Sequence, residues 1–306
     1  MQTAVKRLLG NTPLTQFTND FWGKDCLLVT ADESRYAELF SWTALQTILS
    51  TQRFDFPRLR LVRRGKVVPP AGYITLGSDR RGNVYTTHRS DVVASEMKQG
   101  AMLHITSLQE TWEPLARFAA ELEPQLTARV QINLHAALAE SRGFATHWDG
   151  HDVFVMQIAG KKRWRLFGMT EAAPIAVPPD QKRDPPSAQI REIVLQAGDM
   201  LYVPRGYWHA AEALEDVSLH LTCAAQYPTG LDFLGWIMKR LESRPTARKD
   251  IPFHQIESAV DADEHRANYA AVLSALISEE VSPTTLQQYL QEYQAGLGRT
   301  NRFDLS

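Results

Sequence analysis

The sequence is short of cysteine, long apolar runs and net charge, and each shortage removes a class of explanation. Two cysteines, Cys26 and Cys223, stand in 306 residues, too few for a disulfide-built scaffold or a cysteine-held zinc module. Both lie in apolar, strand-like contexts and read as buried free thiols of a reduced, cytoplasmic protein. No stretch approaches the roughly 20 apolar residues that span a bilayer, and the Met1-Gln2-Thr3 opening has no apolar signal core. Membrane partners are not expected. With 33 basic against 35 acidic residues the formal charge is -2, which gives no electrostatic case for a surface that coats nucleic acid. The basic run from Arg58 to Lys66 reads as a solvated strand face. No internal repeat or low-complexity tract is present.

What remains is ordinary for a globular chain: 44% apolar and 22% charged residues, enough for one large domain with an appendage. Residues Ala31 to Thr51 carry Leu39, Phe40, Trp42, Leu45 and Ile48 at helical spacing. From Leu59 to Tyr85 the pattern gives short strands, separated by Pro69-Pro70 and Gly77. A strand is expected over Gly100–Thr106, an amphipathic helix over Trp112–Leu126, and a return strand over Val130–Leu134. Prolines 174, 178, 179, 185 and 186 crowd Thr170–Pro186 into a long loop, read as a lid facing substrate or as a surface excursion. After Tyr227-Pro228-Thr229-Gly230 the pattern turns helical, over Leu231–Leu241, Glu264–Ser278 and Thr284–Tyr293, the last opened by Ser282-Pro283 as N-cap and first helical residue. The expected organisation is an α/β part over 1–95, a catalytic core over 96–228 and a helical region over 229–306.

The chemistry concentrates in two segments. Thr146-His147-Trp148-Asp149 sets an imidazole and a carboxylate two residues apart, on one face if the backbone is extended. Sixty-two residues after His147, Gly206-Tyr207-Trp208-His209 brings a histidine out of a turn behind two aromatics. Two histidines and one carboxylate form a facial triad that leaves three open positions on an octahedral metal, the arrangement of non-haem Fe(II) oxygenases. After the first segment, Asp152–Ile158 reads as a strand, Ala159-Gly160 as a turn, and Lys161–Phe167 as a return strand. Alternation puts Lys162, Trp164 and Leu166 on one face and Lys161, Arg163 and Arg165 on the other. An ammonium on an apolar face needs an anion. Lys162 is therefore an internal ion-pair or snorkelling residue, or the counter-ion of a bound carboxylate. His220, in the strand-like Val217–Thr222, reads as a hydrogen-bonded interior histidine.

The run GFATHWDGHDVFVMQIAGKKRWRLF, followed by GDMLYVPRGYWHAAE and SLHLT, resembles the JmjC-type cupin family, and within it the ribosomal-oxygenase-like protein hydroxylases. The likeness is strong over about residues 100–225, and Thr18–Trp22 with Leu27–Val29 extends it weakly to the N-terminus. It implies a mainly β fold, a double-stranded β-helix barrel of cupin or jelly-roll type with N-terminal helices and a C-terminal helical region. It also implies Fe(II), 2-oxoglutarate and O2, with His147, Asp149 and His209 as the iron ligands. Lys162, fifteen positions after His147, falls on the family's basic partner of the 2-oxoglutarate C5 carboxylate. Asn133 falls on a pocket-lining asparagine, and His135 stands where the family often carries tyrosine. In that family the helices after the barrel commonly pair two subunits, so they either form a homodimer here or cover the barrel.

The expected activity is hydroxylation of a side chain in a protein or peptide, with release of succinate and CO2. A ribosomal protein and a precursor peptide of a natural-product pathway both remain open as targets. N-methyl-lysine demethylation uses the same chemistry. A metal cupin that does without 2-oxoglutarate, or a silent binding module, would leave Lys162 without a purpose.

Overall fold

The computed structural model describes residues 3–138, 141, 143–175, 184–251 and 259–298. They fall into two compact units, one running to Gln226 and rejoined by Gly298, the other spanning Tyr227–Leu297.

The first unit opens with helix α1 (Ala4–Leu9) and a short α2 (Leu14–Gln16) that runs into a wide turn over Phe17–Phe21. Strand β1 (Leu27–Val29) follows. The helix expected across Ala31–Thr51 is broken in two. A single 3-10 turn covers Glu33–Tyr36, and α3 begins only at Trp42, where the Ser41 hydroxyl accepts the amide of Ala44. Serine at an N-cap satisfies an otherwise orphaned amide, so the helix starts there and not ten residues earlier.

Next come β2 (Leu59–Arg63), β3 (Lys66–Val67), β4 (Ile74–Ser78) and β5 (Val84–His88), the last two forming a separate hairpin. Gly77 lies inside β4 and does not end it. A side chain there would collide with the ring of Tyr85 on the partner strand, 2.6 Å from an added Cβ. Helix α4 (Ser90–Lys98), β6 (Met102–Ile105), α5 (Glu113–Leu126) and β7 (Arg129–Ala137) lead into the core strands. These are β8 (Asp152–Met169), β9 (Arg191–Leu195), β10 (Met200–Val203) and β11 (Tyr207–Gln226).

The main sheet is antiparallel throughout, in the order β1-β10-β8-β11-β7-β6-β2-β3, with β9 against the second half of β8. It curls into the jelly-roll barrel. Its spine is the pair β8–β11, and here the sequence reading needs correction. Ala159-Gly160 is not a hairpin turn, and Lys161–Phe167 does not fold back on Asp152–Ile158. The two halves form one continuous strand. Residues 152–160 pair with 218–225, and residues 162–169 with 207–213, with a register shift between Ala213 and Ser218. Gly160, at φ +67, makes this bend possible, because a Cβ there would lie 1.8 Å from the carbonyl oxygen of Val217. Glycine marks a bulge as readily as a turn, and long-range pairing with β11 decides between them. On one side of the spine Val153, Val155, Trp164, Leu166, Leu195, Leu201 and Val203 pack with Cys26 into a buried cluster. Both cysteines are free and buried.

The second unit holds α6 (Gly230–Leu241), α7 (Ala259–Glu280) and α8 (Pro283–Ala295). Capping boxes at Thr229 and Ser282 start α6 and α8, satisfying amide donors reciprocally. Phe233, Ile237, Leu241, Leu276 and Tyr289 make a core of their own.

Candidate metal centre and cosubstrate cavity

A cavity of about 710 Å³ opens inside the barrel, within the range of small-molecule sites. Strands β2, β6, β7, β8 and β11 and the 143–151 segment supply its walls.

His147, Asp149 and His209 meet there, with ligand atoms all within 4.8 Å of one another. His209 leaves the turn at Pro204–Gly206, which is pinned from below. Buried Asp152 accepts the Arg205 amide at 2.9 Å and the Tyr202 hydroxyl at 3.0 Å. His147 and His209 then form an isolated bridge. Each imidazole donates its Nδ1 proton to a backbone carbonyl, His147 to Ala145 at 2.7 Å and His209 to Tyr207 at 2.9 Å. That leaves both Nε2 lone pairs free and aimed at Asp149, 3.9 and 3.6 Å from its carboxylate oxygens. Carbonyl partners of this kind fix the tautomer and ring orientation of metal-binding histidines. Burial, followed by the neighbouring His147, pulls the His209 imidazole down to about 4, so it is neutral, with its Nε2 lone pair unprotonated. The donor set fits a facial triad for Fe(II), and among the described residues it is the one group of three with metal-ligand spacing.

Lys162 projects into the cavity as the strand alternation expects. It is 3% exposed, and its Nζ lies 3.1 Å from Nδ1 of His220. Desolvation pulls its amine down to about 7. His220 is thus a hydrogen-bonded interior histidine, as expected, and its partner is the lysine. His135 stacks on His220, centroids 4.5 Å apart and planes nearly parallel. Asn133 lines the cavity too, its Oδ1 accepting the Ser107 amide at 3.1 Å and Gln131 Nε2 at 2.9 Å. Trp164 packs between His209 and His220, and its Nε1 finds no acceptor among the described residues.

Three cavity residues escaped the sequence reading. Arg60, placed on a solvated face, points inward. His104 sits between Arg60 and His135. His151 continues the alternation of His147 and Asp149 along the wall. For Arg60 the available signal was the alternation of Leu59 and Leu61, which puts it on the opposite face without saying what that face meets. Of the proline-rich loop, Pro178 and Pro179 lie outside the described residues. Pro174 packs within 2.8 Å of the space a Gly206 side chain would fill.

Residues 106–233 match a family model described as the JmjC domain. Among curated proteins, the chain is 31% identical over 235 residues to ribosomal oxygenase 1 of Bos taurus, covering 74% of this chain and 34% of that protein. It is 26% identical over 252 residues to a bifunctional lysine-specific demethylase and histidyl-hydroxylase of Dictyostelium discoideum, covering 76% of this chain and 45% of that protein. The chain thus spans less than half the length of these curated relatives. The structure of YcfD, a ribosomal oxygenase from Escherichia coli in complex with cobalt and 2-oxoglutarate, superposes with a TM-score of 0.55 at 17% identity, covering 93% of this chain and 71% of that chain. At that identity the likeness is one of fold.

Proposed function

The chain carries a JmjC domain across residues 106–233, and from that premise we propose that it is an Fe(II)- and 2-oxoglutarate-dependent oxygenase that hydroxylates a side chain of a protein or peptide. The observation that carries this reading is the pairing, in one cavity, of a two-histidine, one-carboxylate cluster with a buried lysine. The relatives named as ribosomal oxygenases, and the cobalt and 2-oxoglutarate complex of YcfD, support it.

His147, Asp149 and His209 would hold the iron through two Nε2 atoms and one carboxylate. Iron with 2-oxoglutarate and O2 supplies the oxidant for an unactivated C–H bond, with succinate and CO2 as co-products. The chain's own residues do the rest. The Ala145 and Tyr207 carbonyls keep both imidazoles in the Nε2-donor tautomer. Lys162 would meet the C5 carboxylate, taking from solvent the proton it needs, while neutral His220 accepts from its ammonium through Nδ1. Asn133 and His135 would close that end of the cavity. Trp164, Phe144 and Met102 line the cavity and would help keep water from the reacting carbon, as oxidative chemistry requires.

N-methyl-lysine demethylation is the weaker reading. A methylammonium substrate needs an anionic or aromatic cage, whereas Asp149 is the one carboxylate of the described lining, Arg60 adds a cation, and Asp149 is committed to the metal. The α6 residues Leu231, Leu234 and Met238 lie on one exposed helix face, and this supports a homodimer formed through the helical unit. Two unpaired buried thiols support a reducing, cytoplasmic setting. The decisive experiment measures succinate formed from 2-oxoglutarate with iron and ascorbate. No succinate above the Asp149→Ala background would end the oxygenase reading. A gain of one oxygen mass in peptides from a candidate proteome would name the target.

A further inference from the structure

Arg60 is a cation on the wrong side of its strand. On β2, Leu59 and Leu61 are fully buried on the outer face, so alternation turns Arg60 into the barrel, where it lines the cavity. Cross-strand register then continues the row. Arg60 pairs with His104, His104 with His135, and His135 with His220. The three imidazoles follow one another at centroid distances of 4.6 and 4.5 Å, and Lys162 closes the far end. Two basic side chains thus bracket three rings, all held neutral by burial.

The two ends of the row are not equivalent in what remains for them to bind. Arg60 Nη2 lies 3.2 Å from His104 Nδ1, and its buried Nε has no partner. Its near neighbours in sequence, Arg58 and Arg63, are paired with Glu110 and Glu96. Arg60 has no carboxylate partner among the described residues. A divalent ion, Asp149, a protonated Lys162 and a doubly charged 2-oxoglutarate sum to zero charge. Arg60 is the charge left over, and a half-buried guanidinium without an anion is costly.

We propose that Arg60 anchors a substrate subsite that receives the carboxylate of an acidic side chain close to the residue being hydroxylated. Its planar fork suits bidentate capture of a carboxylate, and Thr106 and Gln131 line the same cavity. The substrate class is therefore an acidic peptide segment. The proposal rests on the oxygenase reading and adds a selectivity to it.

The test uses zinc-loaded, catalytically silent protein saturated with 2-oxoglutarate. N-acetyl-glutamate N-methylamide and its glutamine counterpart are titrated while the arginine Nε–H resonances are followed by NMR. The acidic probe should shift one resonance, absent from Arg60→Gln, and bind that variant at least about tenfold more weakly. Arg60→Lys, which keeps the charge, should retain binding of the acidic probe over the amide. Binding of 2-oxoglutarate should change less than about twofold in Arg60→Gln. Equal behaviour of the two probes, or no perturbation at Arg60, overturns the subsite, as does binding of inorganic phosphate but not of the acidic probe. If Arg60→Gln weakens 2-oxoglutarate while Lys162→Ala does not, the subsite falls and so does the proposed cosubstrate orientation. Absence of succinate formation, by contrast, counts against the oxygenase reading alone.

Discussion

His147 and His209 exchange backbone hydrogen bonds, each amide donating to the other's carbonyl at 3.1 and 2.8 Å. Their imidazoles are thereby held side by side, centroids 4.5 Å apart, by main-chain pairing that does not depend on the Asp149 side chain. Asp149, which contributes only its carboxylate to the cluster, is the residue to change. Asp149→Ala should keep the fold, with a melting temperature within a few degrees of the parent, and lose iron retention and turnover together. Metal content after dialysis checks it: about one iron per chain in the parent and less than a tenth of that in the variant. Stoichiometric iron in the variant would remove Asp149 from the ligand set.

Lys162 and Lys161 offer an internal control, adjacent in sequence and opposite in face. Truncating one partner of a desolvated charge pair costs about 2–5 kcal/mol. Lys162→Ala should therefore raise the 2-oxoglutarate requirement by about tenfold or more with iron binding intact. Lys161→Ala, on the exposed face, should leave it unchanged. Isothermal titration of both variants decides, and equal effects would refute the inward lysine as the carboxylate partner.

The pH dependence of 2-oxoglutarate binding follows from the same amine, which faces neutral His220 and His135 and is pulled by desolvation to about 7. A bound carboxylate raises that value. Below pH 7 the amine is already charged and binding has its full strength. Above it, binding must take up a proton, and affinity should fall about tenfold per pH unit. Lys162→Arg, whose guanidinium stays protonated, should flatten that limb. A profile identical in parent and Lys162→Arg would assign the dependence elsewhere.

Gly160→Ala should destabilise the barrel by about 2 kcal/mol or more, combining a left-handed backbone with a collision against the Val217 carbonyl. Denaturant unfolding measures it. Gly82→Ala in the exposed β4–β5 hairpin turn shares the positive φ and has nothing within 4 Å of an added Cβ, so its smaller loss isolates the steric part. Equal losses would show that backbone conformation alone sets the cost.

The convergence of the candidate metal cluster was legible in the sequence because its geometry is mostly local. His147 and Asp149 are two residues apart, and His209 announces itself behind a Pro-Arg-Gly turn. The inward face of Lys162 was legible from alternation with Trp164 and Leu166. The continuity of β8 was not, since Ala159-Gly160 carries the same local signal for a turn and a bulge, and the choice is made by β11 some 60 residues away. The row from Arg60 to His220 was hidden for a similar reason: it exists only through the register of four strands distant in sequence. A basic run such as Arg58–Lys66 looks solvated until the sheet closes around one of its members.

The pairing of β8 with β11 also acts as a gauge. His209 stands opposite Leu166, and Lys162 opposite Ala213, so the candidate metal ligand and the cation are separated by a whole number of rungs on one ladder. Rungs come in steps of about 3.4 Å, coarser than the increment of one methylene, so the ladder cannot adjust itself to a homologous diacid. With 2-oxoglutarate held as proposed, oxaloacetate should bind more weakly by falling short of one terminus, and 2-oxoadipate by overrunning it. Under the proposed function, length discrimination among 2-oxo diacids would be set largely by hydrogen-bond register, which fixes where the His209 and Lys162 side chains start.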